Sequence, residues 1–561
     1  MLFCTVLFLL FGDYVSGSLK QKYISSAFLL MVATVAVKII SALYKIPLTS
    51  YIGAVGRGYF STAYNLCLPI HALTMGAFPI ALTKLVSSYE AKGNTAMVKA
   101  VRAASKKLFF IIGLSGMIIM LIAARPYSHI VSDSNNAVYT IAALAPSVFF
   151  SCLCACNRAF CEGYMDMKCT SISQIIEAII KTLFGLLFAR ISMSLLINEY
   201  LNSASVLGIV LKSEEEALHT IYPITSASAM LGATLGSIIS YIFSLIYVNC
   251  KHNLKKADKE YKREALNELV AISLGLVGAT AVQSVSSFFD NFSVQYCLSS
   301  YNTSVLENIF NSGSSSVSTY AYGVYSAVLD FKNLIPSIVM SLGVAAVPAV
   351  SSSFESSDQR FSNLMTSIFK YSTIISVTGG AFLALFCKDV LDIFYSSNPD
   401  ISANGFRLLY YSGITILPCC IASTAVYCSQ ALGYSKKTII PFAVSAVIRV
   451  ILNFLLIPIS SINLVGALIS NFIGYTVIAL WNFLIIIKNT HCKLNFFDVL
   501  IKPLCASTLT FFVVKTVING YLSSIPGMVG LCLSVLFFVV IHIFNLFFLK
   551  CISLKDIKIH K

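Results

Sequence analysis

Five basic side chains sit inside long apolar stretches of the chain: Lys38, Lys45, Lys181, Lys332 and Arg449. A charge held in hydrocarbon is costly and usually faces a polar cavity or a partner. Glu177 and Asp330 are the acids in comparable positions, and Asp290 lies near the end of another apolar stretch. Positive charge is therefore in excess. An excess of buried cation wants an anionic ligand, such as a diphosphate. Arg449 could grip two phosphate oxygens at once, and the lysines would act as point charges. Gln174, Glu177 and Lys181 recur at i, i+3 and i+7 on one helical face, and Glu177 and Lys181 can pair as i,i+4 neighbours. Asp330 and Lys332 are two apart and point apart. Glu177, Asp290 or Asp330 could bind a coupling Na⁺ or proton, or pair with another side chain. The plainer account of each charge is an interhelical ion pair that holds the helices together.

The elements carrying these charges are apolar segments of about 20 residues, each long enough to cross roughly 30 Å of hydrocarbon. Fourteen such spans are read: 25–48, 60–86, 108–124, 137–157, 170–190, 226–248, 269–294, 319–349, 366–387, 404–430, 438–458, 463–487, 499–517 and 528–549. At about 1.5 Å per residue, Lys38 and Lys332 lie about 20 Å into their spans, and Lys181 and Arg449 about 16 Å. Four cations thus approach the middle of the bilayer. Lys45 sits nearer an interface and could snorkel. Most of the 39 Lys and Arg fall on alternate connections, including Lys92 to Lys107, Arg158 with Lys168, Lys251 to Arg263, and the tail from Lys550. This asymmetry puts both termini in the cytoplasm.

The 561 residues are 57% hydrophobic and 11% charged, with net charge +15. The shortage of charge excludes a soluble globular chain. The distribution of basic residues marks membrane topology, so nucleic acid is not an expected partner. The 17 cysteines show no CxxC or Cys/His spacing and read as small packing residues, without disulfides or metal. No Walker A loop, HExxH or GxSxG motif is present, so no enzyme is expected.

The two halves resemble each other. Glu162-Gly163-Tyr164 precedes Lys181, and Leu432-Gly433-Tyr434 precedes Arg449, at offsets from the glycine of 18 and 16 residues. Gly76-Ala77-Phe78-Pro79 corresponds to Pro348, each proline being followed by a Ser-Ser-aromatic-Glu run. The expected architecture is all-α and membrane-integral, with about 14 transmembrane helices. Two six-helix lobes are related by a parallel repeat, and two C-terminal helices follow. Repeats of this kind place a substrate site between lobes near the midplane. The boundaries are an N-terminal extension of unassigned role at 1–19, an N-terminal lobe at 20–250, a basic cytoplasmic linker at 251–268, a C-terminal lobe at 269–490, and two helices with a basic tail at 491–561. Residues 1–19 fit either an amphiphilic extension or an upstream start codon. Gly76, Pro79, Pro146 and Pro348 are the expected hinge and kink positions.

Several spaced motifs carry a family resemblance. They are Val37-Lys38, Tyr44-Lys45-Ile46-Pro47-Leu48, Lys84-Leu85-Val86, Ala145 to Phe150, Ser173-Gln174-Ile175-Ile176-Glu177 with Lys181, and Gly433, Arg449, Asn453 and Gly466-Ala467. In this order they resemble the polysaccharide transporter and stage V sporulation protein B branch of the multidrug/oligosaccharidyl-lipid/polysaccharide (MOP) exporter superfamily, over roughly residues 20–490. The resemblance implies two six-helix lobes plus two helices. It implies alternating-access export of an undecaprenyl-diphosphate-linked oligosaccharide or peptidoglycan precursor, with Lys38 and Lys45 at the cationic positions of the first helix. Departures are Arg158-Ala159 in place of Arg-Gly, lysine in place of arginine at 45, and no proline early in span 7. Asp290 matches an acidic position only loosely.

The expected function is a flippase in the cytoplasmic membrane. Its partners are a polyprenyl-diphosphate glycan, the lipid bilayer and glycan-synthesis enzymes. It needs no cofactor, and an Na⁺ or proton gradient or the membrane potential could drive it. Two other readings stand: a multidrug/toxin cation antiporter of the same superfamily, which should favour acidic cavity residues, and a non-transporting scaffold for envelope or spore-coat assembly.

Overall fold

The computed structural model describes residues 18–132, 135–251, 259–300, 306–307, 317–354, 358–490, 494–520 and 527–552. Residues 1–17, and with them most of the expected N-terminal extension, lie outside these. The chain is an all-α membrane protein. Its helices are α1 (Ser18–Ala72), α2 (Phe78–Ala91), α3 (Thr95–Ser132), α4 (Ala137–Gly163) and α5 (Lys168–Ser203). After a two-stranded hairpin, β1 (Ser205–Val206) and β2 (Ile209–Val210), come α6 (Glu214–Lys251), α7 (Lys259–Ser300), α8 (Val317–Phe354) and α9 (Asp358–Leu385). The short α10 (Cys387–Phe394) leads to α11 (Pro399–Ala431), α12 (Ile439–Leu456), α13 (Leu464–Thr490), α14 (Lys502–Gly520) and α15 (Gly527–Phe548).

Among the described residues, 11 helices are long and apolar enough to cross a membrane. Helices α7 and α8, of 42 and 38 residues, add the length for two more. Each of the expected spans falls on one such rod once α1 is divided. It divides at Gly53, whose φ of 61° and ψ of −174° belong to a region essentially restricted to glycine. A Cβ there would also lie 3.1 Å from the Tyr222 ring.

The helices overrun the apolar segments that predict them. The stretch 191–225, expected as a loop, is helical to Ser203 and again from Glu214, closed by the hairpin. The expected linker 251–268 is helical from Lys259, because its charged residues form the opening turns of α7. Arg158, assigned above to a cytoplasmic connection, lies inside α4 and is 6% exposed. Nothing in Asn157 to Glu162 breaks a helix, and the guanidinium finds polar partners on α5 and α6.

The described residues up to Ser326, with Ile457–Ser460, form one compact unit; those from Ala327 to Leu456 and from Ser461 onward form the other. In the first, aromatic and aliphatic side chains such as Tyr44, Ile52, Tyr59, Phe60, Met120 and Ile141 build one core, and Leu82, Phe109 and Phe160 anchor a second. Lipid offers no hydrophobic drive for helices to associate, so close backbone approach through small residues takes its place. A Cβ on Gly232 of α6 would lie 2.3 Å from the Gly185 nitrogen of α5, and one on Gly236 would lie 2.8 Å from the Glu177 carbonyl oxygen. Gly236→Val is expected to lower stability by about 1–3 kcal/mol, as overpacking does. A reduced melting temperature in detergent would register this, and an unchanged one would refute the close crossing. In the second unit Gly380 and Gly413 meet in the same way, and Phe369 packs on Phe483 at 4.5 Å.

The chain leaves the α-pattern at two π-turns, Leu73–Ala77 and Phe497–Ile501. Each ends two residues before a proline, Pro79 and Pro503. A proline ring crowds the carbonyl one turn earlier and supplies no N–H, and a widened turn relieves both. Gly76 and Pro79 therefore sit at a break in the helical pattern. Pro146 and Pro348 lie within the unbroken helices α4 and α8.

Candidate functional site

In the first unit the expected Glu177–Lys181 pair is replaced by another. Arg158 reaches across from α4 and its Nη2 donates to Glu177 Oε2 at 2.8 Å. The same guanidinium donates to Ser173 Oγ at 2.7 Å and Ser240 Oγ at 2.9 Å, and the Ser240 hydroxyl donates to the Ser173 carbonyl at 3.0 Å. Glu177 thus serves an interhelical pair. Below it Arg102, 5% exposed, donates to Asn157 Oδ1 at 2.5 Å, and Asn157 donates to Ser244 Oγ at 2.9 Å.

Lys181 faces aromatic rings instead. Its Nζ lies 4.9 Å from the Tyr64 ring centre and 5.7 Å from that of Tyr44. Both distances are within cation–π range. Two buried polar atoms near it, Tyr44 Oη and His71 Nε2, have no hydrogen-bond partner among the described residues. Lys45 and Arg57 lie close enough for their charges to act on one another, as do Lys45 and Lys181. Arg57 Nη1 donates to Thr49 Oγ1 at 2.7 Å and to the Lys45 carbonyl at 3.3 Å. Lys38 is half-buried on the same arm of α1, two helical turns before Lys45. The structure therefore assembles Lys45, Arg57 and Lys181 around two tyrosines and His71.

The second unit builds a related site. Lys332 of α8 and Arg449 of α12 are each 3% exposed, and both face Tyr475 of α13, at 5.8 Å and 5.4 Å from its ring centre. Arg449 Nη1 donates to Asn471 Oδ1 at 3.4 Å. The Ser470 hydroxyl donates to Asn453, one helical turn beyond Arg449. The arginine stem lies on Gly474, where a Cβ would be 2.5 Å from its Cγ and Cδ. Asp330 is half-buried on α8, two residues before Lys332, and Asp290 is buried on α7 in the first unit, close enough for its charge to act on the Tyr322 hydroxyl.

The repeat holds, in a corrected register. Helix α4 ends with Met165 in the left-handed region, φ 59°, its N–H donating to Glu162 O and that of Asp166 to Cys161 O. Helix α11 ends with Gly433 at φ 84°, with matching bonds to Gln430 O and Ser429 O. These are the two bonds of a Schellman cap. The partner of Gly433 is thus Met165, not Gly163. Lys181 follows Met165 by sixteen residues, and Arg449 follows Gly433 by sixteen. In each half a glycine on the succeeding helix lies against the cation's backbone or stem, Gly236 for Lys181 and Gly474 for Arg449. A non-glycine residue in the left-handed position hid this register from the sequence. Beyond the α4 turn, Lys251 Nζ and the Tyr247 hydroxyl donate to Asp166 Oδ2 at 2.5 and 2.9 Å. Burial alone would raise the Asp166 carboxyl, but these bonds and the Lys168 N–H together hold it below its usual range.

Tyr64, Tyr475, Arg57 and His71 were not singled out from the sequence, and Tyr44 appeared there only as part of a motif, with no site role. An aromatic at a span midpoint reads as core, and its cation arrives from a different helix. The one available signal was Tyr44 beside Lys45. Among the described residues no group of three metal-ligating side chains comes together.

A family model described as "Polysaccharide biosynthesis protein" matches residues 24–212. The chain is similar to the "Lipid II flippase MurJ" of Bacillus subtilis (strain 168), with 23% identity covering 83% of each chain. It is similar to "Stage V sporulation protein B" of the same organism, with 21% identity covering 82% of this chain and 83% of that one. Among solved structures, "Lipid II flippase MurJ, inward closed conformation" superposes with a TM-score of 0.64 at 15% identity, covering 93% of this chain and 99% of that one. An inward-facing "multidrug resistance MATE family transporter of the MOP superfamily" gives 0.62 at 14% identity, covering 81% and 96%. The resemblance carried by the motifs is borne out, and the fold is that of the MOP transporters.

Proposed function

We propose that this multi-pass membrane protein carries a polyprenyl-diphosphate-linked glycan from the inner to the outer leaflet by alternating access, with both termini in the cytoplasm. One observation carries the reading: in each unit buried basic side chains gather on tyrosine faces. Glu177 is engaged by Arg158, which leaves Lys181 on tyrosine faces. In the other half Lys332 and Arg449 share a tyrosine. Such groups suit a diphosphate, with arginine gripping its oxygens and lysines adding charge. The relative named as a lipid II flippase supports the class of cargo. Asp290 and Asp330 are the carboxylates we carry forward as coupling sites for Na⁺ or a proton.

The MATE superposition favours a second reading, export of small organic cations. The sign of the buried charge argues against it, since a cationic drug would be repelled by Lys181, Lys332 and Arg449. Reconstitution decides between them. Purified protein in liposomes with a labelled undecaprenyl-diphosphate sugar should expose inner-leaflet label to an external probe. Uptake of a cationic dye with no movement of any polyprenyl-diphosphate sugar would transfer the assignment to drug export.

A further inference from the structure

The turn between α4 and α5 brings two thiols together. Cys161 lies in the last turn of α4 and Cys169 in the first turn of α5. Both are 0% exposed, and both are free thiols in this structure. Their sulfurs lie close enough to share a hydrogen bond. No single helix could pair them. The cap at Met165 folds α5 back against α4 and does so.

The charges around the pair are mostly positive. Arg102 of α3 and Arg158 of α4 act on Cys169, Arg102 also acts on Cys161, and Asp166 acts on both. Arg158 is engaged by Glu177, and Asp166 by Lys251. Arg102 is 5% exposed, donates to Asn157 and lies 4.7 Å from the Phe160 ring centre. Among the described residues no carboxylate accepts from it. Positive charge beside a thiol favours the thiolate, the form that attacks a disulfide. The same charge repels a metal cation. Packing alone does not call for two thiols here. In the register that joins Met165 to Gly433, the second repeat carries Ser429 and Lys437 at these places.

We propose that Cys161 and Cys169 are a redox-active pair that closes to a disulfide across the α4–α5 turn. The oxidant is a small-molecule disulfide. The Cys169 thiolate attacks one of its sulfurs, and the other sulfur leaves as a thiolate. Cys161 loses its proton to that leaving group, attacks the Cys169 sulfur and expels the second half of the reagent. This half takes up the proton that Cys169 released. The small disulfide is reduced to two thiols, and the cysteine pair is oxidised. Access comes from the turn. Met165 is exposed and held in a left-handed conformation unfavourable to a side chain. The bonds from Lys251 and Tyr247 to Asp166 hold the turn in place. Brief opening admits the reagent, and closing returns one sulfur to the other. The new bond then fastens the ends of α4 and α5 beside Arg158 and Glu177. The inference does not depend on what the protein transports.

The test uses the full chain in detergent, treated with oxidised glutathione, blocked with N-ethylmaleimide and digested with trypsin. Cleavage after Arg158, Lys168 and Lys181 puts the two cysteines on separate peptides, so the disulfide joins residues 159–168 to residues 169–181. Mass spectrometry should find this joined peptide as the main linkage. It should vanish with dithiothreitol and be absent from Cys161→Ser and from Cys169→Ser. Oxidation should raise the melting temperature of the parent and of neither variant. Asp166→Ala should speed the linkage about threefold, as loss of a part-exposed ion pair would. The pair is overturned if neither the parent nor Asp166→Ala yields the joined peptide. It is overturned equally if glutathione stays on Cys169 without transfer, or if linkage spreads evenly over other cysteines. An unchanged rate in Asp166→Ala refutes access through the turn, and an unchanged melting temperature in the linked parent refutes the fastening.

Discussion

Arg158→Ala is expected to destabilise the protein by about 3–5 kcal/mol, the usual cost of removing one partner of a buried ion pair. Glu177 would remain, 28% exposed on its side chain, facing two serines that lose their donor at the same time. The partial exposure of Glu177 places the loss toward the lower end of that range. The measurement is the melting temperature of detergent-purified protein together with the amount recovered from the membrane. Replacing both partners, Arg158→Met with Glu177→Leu, should return most of the stability, because no charge is then stranded. If Arg158→Ala melts at the same temperature as the parent, the pair is not structural and Glu177 becomes available for coupling. The double variant also separates folding from transport: it should flip lipid at near the parental rate if Lys181 acts without Glu177.

The second large effect is on transport. Lys332→Ala with Arg449→Ala should slow headgroup exposure by roughly a thousandfold. Each hydrogen bond to a charged group is worth about 1.5–3 kcal/mol, and about 1.4 kcal/mol corresponds to tenfold. Arg449→Lys keeps the charge and loses the fork, so it should retain much more activity than Arg449→Ala. Gly474→Ala tests the same site from behind, since its new methyl would press on the arginine stem and turn the guanidinium. Rates measured in proteoliposomes at matched protein incorporation check the series. Full activity of the double alanine variant would remove the cationic site from the mechanism.

Most of the architecture was legible because spans announce themselves by length and lack of charge. The fourteen rods and their order follow from that property alone. What the sequence concealed lies between helices. Arg158 read as a loop residue because basic residues near span ends usually are, and only the neighbouring α5 and α6 reveal its partners. Glu177 and Lys181 satisfied the i,i+4 rule, but a guanidinium from another helix outcompeted the lysine for the carboxylate. The same limit hid Tyr475, which becomes part of a site only when Lys332 and Arg449 arrive from two other elements. The repeat was visible in outline, but its register was not. Glycine is the usual marker of a left-handed cap, and Met165 occupies that conformation at a cost of about 1–2 kcal/mol.

The equal count from each cap to its cation has a mechanical meaning. A helix is a ruler of about 1.5 Å per residue, so sixteen residues set both Lys181 and Arg449 about 24 Å from their caps. Within each unit, then, the reach from the cap fixes which neighbours the cation meets: Tyr44 and Tyr64 for Lys181, Tyr475 for Arg449. One extra residue between Met165 and Lys181 would lift that cation only slightly but swing it by a quarter turn, away from Tyr44 and Tyr64. Repeat proteins of this kind can therefore lose most of their sequence likeness and still be held to the same integer.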